Sequence, residues 1–319
     1  MRRPPPSLPK QQRGALLILL VIALGILAVT LFIGLLSSSD IQNQRNKKTA
    51  AALAEAKVAV IGWSASRYST SSSYTPGQLP CPENLTQIGT ANEGTAASNC
   101  TLPATGRLPW KTLKTGDIRD GYGEKLWYAI SAGFRTSSIT PSINSTTLAQ
   151  LTVDGVPNNA VAIIFSAGPP LAGQVRPVPT ALTPPLTSQY LDGSNNDGDN
   201  QFVTQGSAAT FNDKLLAITH HDLFSVVERR VISVIIGTGT APSTGLRYYY
   251  ANNAAYPVGP VDYGSLGYDT YTKSMLTNNK WDLVVGYTAP NPAISAQLTM
   301  PKYCTASTTS GQSGVITCH

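Results

Sequence analysis

Charge is scarce in this chain. Asp, Glu, Lys and Arg together make 13% of its 319 residues, about half of what a soluble domain usually carries. The formal charge of +6 does not belong to the bulk of the chain. Arg2, Arg3, Lys10 and Arg13 precede the first apolar run, and Arg45, Lys47 and Lys48 follow it against a single acid, Asp40. Beyond residue 50 basic and acidic residues cancel, so no basic surplus is left for a nucleic-acid surface. Histidine is scarcer still, with three residues. There is no GxSxG elbow, no HExxH and no phosphate-binding glycine loop. Asp117 and Asp120 lie close in sequence but share a turn with Arg119 and make no poised acid/base pair. An enzyme is not the expectation, and no small-molecule site is evident.

The one long hydrophobic run lies near the start. Ala15 to Leu36 carries a single polar side chain, Thr30. As a helix this run is about 33 Å long, against a bilayer core of about 30 Å. The leader before it is basic and lacks acids. That predicts an N-terminus on the cytoplasmic side and an exported remainder, although the basic group at 45–48 weakens the asymmetry. Three readings stay open. A cleaved signal peptide would use Ser37, Ser38 and Ser39 as its small-residue site, but the run exceeds the roughly 7 to 15 residues of such cores. A plain anchor needs only the run itself. The third reading is a longer helix. From Asp40 to Ser66 there is no Pro, and no Gly before Gly62, and the stretch is rich in Ala, Lys, Gln and Glu, all good helix formers. Ala52, Leu53, Ala56, Val60 and Trp63 recur at three- to four-residue spacing, an amphipathic stripe. One helix over 15–66 would be about 78 Å long.

A basic leader ending in Arg13-Gly14, an apolar run and an unbroken amphipathic extension resemble the N-terminal region of type IV pilins and of type II secretion pseudopilins. The resemblance implies cleavage after Gly14 by a prepilin peptidase and a new, N-methylated terminus at Ala15. It implies membrane residence until a machine draws the subunit into a filament. The pattern departs at Leu19, where the family usually has Glu. Some minor pilins and tip-type pseudopilins share that departure, which narrows the resemblance to a minor subunit.

Residues 67–80 are loop-like by their Ser, Pro and Gly content. Cys81, Cys100, Cys304 and Cys318 follow; four cysteines in an exported chain read as two disulfides. Three pairings are possible, and the sequential one, Cys81–Cys100 with Cys304–Cys318, is favoured. A zinc site is the alternative, against which stand the wide spacings without a CxxC. A C-terminal disulfide loop is also common in the family, as Cys304 and Cys318 would supply.

Asp120-Gly121-Tyr122-Gly123 is a tight turn feeding a strand over 125–131. It is similar to the Asp-Pro-Trp-Gly turn of major pseudopilins, with Gly121 in place of the Pro. "NNAVAIIFSAGPP" (158–170) reads as a buried strand. It ends in Ser166-Ala167-Gly168, which resembles the pseudopilin Ser-x-Gly turn that precedes an acidic loop. Here a Pro-rich insert (169–185) intervenes before "LDGSNNDGDNQF" (191–202). Asp192, Asn195, Asn196, Asp197 and Asp199 crowd oxygen donors into that loop, as a calcium site needs. The spacing is not that of an EF-hand, and a plain turn is the alternative.

Residues 219–236 read as a helix started by Thr219 and Asp222 in a capping-box arrangement. Leu223, Val226, Val227, Val231 and Val234 or Ile235 form its apolar face. His220 and His221 point about 100° apart on such a helix and cannot chelate one metal; they are expected at the surface or as capping residues. "GTGTAPSTG" (237–245) is a linker by composition. Tyr250, Asn253, Tyr256 and Pro257 match the spacing with which pseudopilin stem helices end, so 205–319 is a candidate second, degenerate unit. Eight of the fourteen tyrosines lie between 248 and 287. They suit a binding surface but are also ordinary strand residues.

The expectation is an α+β protein: a leader (1–14), a transmembrane and stem helix (15–66), a β-rich pilin-like exported head (67–204) and a helix plus Tyr-rich β/loop region (205–319). Its expected role is a minor pilin or pseudopilin-like structural subunit of a bacterial inner membrane. It would span once with its bulk in the periplasm or in a surface filament. The expected partners are other such subunits and the peptidase, with calcium the one candidate ion. The alternative is a single-pass, membrane-anchored periplasmic binding or adhesion protein that never enters a filament.

Overall fold

The computed structural model describes residues 12–67, 75–135, 142–207, 209–240 and 243–319. Within the first helix it describes the side chains of 17–31 and 39–65. The leader up to Gln11, the surroundings of Gly14 and Ala15, the side chains of Ser37 and Ser38 and the loop 68–74 lie outside the described residues.

The protein is α+β. Helix α1 runs from Gln12 to Ala65 without interruption. The chain divides into two compact units, Met1–Lys48 and Thr49–His319. In the first, the large side chains from Leu17 to Leu31 are all exposed. Among the described residues no helix is long and apolar enough to cross a membrane; the described part of the apolar run, 15 residues, is about 22 Å of helix.

In the second unit the sequence periodicity becomes packing. Ala52, Leu53, Ala56 and Val60 are buried, while Val58 is 71% exposed. The strands are β1 (Ala104–Arg107), β2 (Trp127–Ile130), β3 (Leu151–Val153), β4 (Val156–Ser166), β5 (Gln201–Phe202) and β6 (Lys214–Thr219). They form one sheet in the order β1-β2-β4-β3-β5, with β6 also on β4. The long β4 organises it: β3 pairs with its first half, β2 and β6 with its second. Only β3 and β5 run parallel.

Both faces of this sheet are covered, which explains why Ala160 to Phe165 is a continuous apolar run rather than an alternating one. Tyr128, Ile130, Ala162 and Ile164 face the main core with α1. Trp127, Ala129, Ile163 and Phe165 face a second core. That second core is closed by the 186–203 loop, which lays Tyr190 against Trp127 (ring centroids 5.2 Å) and Phe202 against Phe165 (5.3 Å).

Helix α2 (His220–Ile236) starts with the capping box of Thr219 and Asp222. Its buried face is Leu223, Phe224, Val227, Glu228, Val231, Ile232, Ile235 and Ile236. Val226, read from spacing as part of that face, is 41% exposed. Helices α3 (Gly245–Asn253), α4 (Thr270–Asn278) and α5 (Trp281–Val284) follow. Strands β7 (Gly286–Asn291), β8 (Ser295–Thr299), β9 (Cys304–Thr309) and β10 (Val315–Cys318) then form an antiparallel meander. Helix α2 touches β4 and β6 of the first sheet and β9 and β10 of the second, so residues 205–319 share one core with the rest of this unit.

Candidate functional site

The turn at 117–125 is built around Asp120, which is wholly buried. Its Oδ1 accepts from the backbone N–H of Tyr122 (2.8 Å) and of Glu124 (2.9 Å). Its Oδ2 accepts from the Ser166 hydroxyl at the end of β4 (2.6 Å). Gly121 N–H donates to the Thr49 hydroxyl on α1 (3.0 Å). One turn thus joins helix, loop and sheet, and its aspartate is consumed by structure. Asp117 pairs with Arg119 (2.6 Å). Neither carboxylate is positioned as a free acid or base.

The acidic loop spends its oxygens on the chain itself. Asp192 is buried; its Oδ1 accepts from the Gln174 amide (3.4 Å) and its Oδ2 from Asn212 N–H (2.9 Å). Asn195, also buried, accepts from Val203 N–H and donates to Val203 O and to Asp213. Asn196 donates to Leu191 O. Asp197 and Asp199 are exposed and cap local turns, at Asp199 N–H and at Gln201. The five residues therefore divide between a buried pair, Asp192 and Asn195, a half-buried Asn196 and an exposed pair, Asp197 and Asp199. Among the described residues no three His, Cys, Asp or Glu side chains are grouped to hold a metal. The donor set does not fit calcium as it stands, because Asp192 and Asn195 would have to leave backbone partners.

The residue that organises this loop was not singled out from the sequence. Asp213 accepts at Oδ2 from Asp192 N–H (2.8 Å) and Asn195 Nδ2 (3.0 Å), while its buried Oδ1 has no hydrogen-bond partner. Burial pushes its carboxyl up to about 7, aided by the Asp192 charge and opposed by those two hydrogen bonds and by Arg176. Arg176 is held in turn by Glu124 and by the carbonyls of Ala167 and Gly168. It fastens the base of the Pro-rich insert, from which Val175, Val178 and Leu182 project 77 to 94% exposed.

Disulfides join Cys81 to Cys100 and Cys304 to Cys318. The second links paired positions of β9 and β10. Its hairpin is clasped to α2 by Glu228, a fully buried carboxylate that accepts from the N–H groups of Lys302 (3.2 Å), Tyr303 (2.7 Å) and Cys304 (2.9 Å). The sequence did hold a signal here, since Glu228 falls on the helix's apolar stripe. His220 is part-buried rather than superficial, and it bonds outside its own helix to Tyr303 and Thr147. His221 is exposed.

The side chains of 17–31 are uncovered and apolar but for Thr30, and a trough of about 470 Å³ lies between α1 and α2, lined by Gly62, Ala65, Ser66, Val226, Arg229, Arg230 and Ser233. Comparison of the chain with protein-family models, with curated proteins and with solved structures finds no match.

Proposed function

We propose that the chain is a minor pilin or pseudopilin-like structural subunit of a type IV pilus or type II secretion-type filament. In this reading it is held in a bacterial inner membrane, with its bulk periplasmic, until assembly. The observation that carries the proposal is helix α1. It is continuous over Gln12–Ala65, apolar but for Thr30 where its side chains from Leu17 to Leu31 are uncovered, and striped where Ala52, Leu53, Ala56 and Val60 are buried in the second unit. A helix apolar on every side needs lipid or other helices around it, and a protein that assembles through such a helix needs no catalytic site. The sequence at its start, Arg13-Gly14-Ala15, supplies the processing site. The basic leader and the apolar run to Leu36 supply insertion with the N-terminus inside.

A second reading, a membrane-anchored periplasmic binding or adhesion protein, is favoured by one residue. Leu19 stands where the pilin and pseudopilin families usually carry Glu, and it leaves the apolar run with no charge to pair with a neighbour. Mass spectrometry of the mature N-terminus separates the readings. A methylated Ala15 supports processing as a prepilin. An intact leader favours the anchor, and a start near Asp40 means a cleaved signal peptide and ends the filament proposal.

A further inference from the structure

The edge of a sheet is a row of unpaired backbone N–H and C=O groups, and folded proteins shield such rows. The two sheets end on β1, β5 and β6 and on β7 and β10. Glu83 N–H donates to Arg107 O on β1 (2.9 Å). β5 is only two residues long. On β6, Lys57 Nζ donates to the Ala217 carbonyl (3.0 Å). β7 carries Pro290 and an irregular register between Thr288 and Asn291, both of which blunt an edge. β10 has none of these devices. Its hairpin, 303–319, contains no Asp, Glu, Lys, Arg or Pro. Burial also ends at this strand. Cys304, Ala306 and Thr308 of β9 are buried, whereas Ile316 and Cys318, packed against the same core, are only half-buried.

The ladder identifies the groups on the open side. Cys304 and Cys318 stand opposite each other with Cα atoms 4.2 Å apart, the close approach of a non-hydrogen-bonded antiparallel pair. In the next pair along, His319 N–H donates to Tyr303 O (3.1 Å). Bonded and non-bonded pairs alternate, so Val315 and Thr317 bond to β9, while the N–H and C=O groups of Ile316 and Cys318 point away from it. Among the described residues nothing else bonds to those backbone groups. The side chains of Val315 and Thr317 are exposed. The Cys304–Cys318 disulfide ties one end of the strand to β9. An edge held in this way loses little further freedom when it is paired.

We propose that β10 is a pairing edge for β10 of a second copy, antiparallel about a twofold axis at Thr317. Ile316 exchanges its N–H and C=O bonds with Cys318 of the partner subunit, and Cys318 does the same with Ile316 of the partner subunit. This register uses every outward group within the strand, whereas an axis at Ile316 would set Cys318 against Gly314, outside it. Thr317 then faces Thr317 of the partner subunit, a favourable cross-strand pair, and no like charges meet. The contact is isologous, so it closes on itself. A foreign strand would find no charge on this hairpin to select it; a second copy needs none. One short strand pair is far smaller than the roughly 1,200 Å² of a stable complex. The contact is therefore weak between free copies and gains where copies are already held side by side. The edge belongs to the second unit, so the pairing holds whether or not the chain enters a filament.

The test compares Thr317→Cys and Val315→Cys in the full-length chain, concentrated in detergent micelles and mildly oxidised. Non-reducing gels read the dimer, and mass spectrometry reads the linkage and checks that Cys304–Cys318 is intact. Thr317→Cys should give a dimer linked 317 to 317. Val315→Cys should not, because the two copies of that position lie on opposite sides of the axis, about 13 Å apart along the strands. Equal yields from the two variants mean random collision and overturn the proposal. No dimer from Thr317→Cys leaves the edge to a foreign strand and overturns it as well. Should the new thiol exchange with Cys318, or the variant not fold, hydrogen exchange of the wild-type chain decides. On concentration the amides of Ile316 and Cys318 should slow, while those of Val315 and Thr317, already bonded to β9, should not change. Unchanged rates at 316 and 318 reject the pairing.

Discussion

Asp213 carries the acidic loop by giving up its charge. Its folded pKa of about 7 compares with about 3.9 for an unfolded aspartate. Below the unfolded value both states are protonated and the group costs nothing. As pH rises, the unfolded chain ionises first, so stability falls until the folded carboxyl also ionises near 7. Asp213→Asn should therefore flatten the loss of stability between about pH 4 and 7. Its Oδ1 can still accept from Asp192 and Asn195. Urea melts at pH 5 and pH 8 check this, each pH unit between the folded and unfolded values being worth about 1.4 kcal/mol. A variant with the same pH slope as the parent would show that Asp213 is ionised throughout. His220, whose pKa burial lowers, has the opposite sign, weakening the fold towards acid, so the two contributions can be told apart by variant.

At the scale of elements, α1 is the one whose two parts obey different rules. Within the second unit Ala56 is wholly buried and Val58 is not. Ala56→Leu should cost about 1 to 3 kcal/mol by overpacking, whereas Val58→Ala should stay within about 0.5 kcal/mol; denaturant midpoints at constant slope measure both. These positions were legible in the sequence because a helix repeats every 3.6 residues and its apolar stripe has one partner. Helix α2 was legible for the same reason, including its capping box, and β4 was visible as an apolar run. What stayed hidden lies in contacts between distant segments. Asp213 and Arg176 have no local pattern, because their partners come from neighbouring segments outside any one helical or strand repeat. Val226 was misplaced because α2 is buried on a face rotated towards Phe224 and Glu228. His220 looked superficial because nothing in its own helix reveals that Tyr303 arrives from residue 303. In the loop at 192–199 composition counts oxygens, and it does not reveal that Asp192 and Asn195 accept from the N–H groups of Asn212 and Val203.

At the scale of the molecule, the boundary after Lys48 separates a helix of uncovered apolar side chains from a unit that has its own cores. A chain beginning at Asp40 should lose the apolar run, stay in solution without detergent and keep its fold. Circular dichroism and a melting temperature within a few degrees of the full chain are the expected readings. Loss of cooperative melting would mean that residues before 40 contribute to the head.

Asn279 has a further consequence, for the order in which the head can be completed. It accepts from the Thr75 hydroxyl (3.1 Å) and from Ile143 N–H (3.3 Å), and its carbonyl accepts from Asn144 (2.9 Å). The first of those partners lies 204 residues earlier. A chain delivered N-terminus first thus holds two of its early loops unclosed until nearly nine-tenths of its length has emerged, and long-range closure of this kind slows folding. The Cys81–Cys100 loop, by contrast, can close soon after residue 100. The second unit is assembled from an early staple and a late keystone, and it stays open in the interval between them.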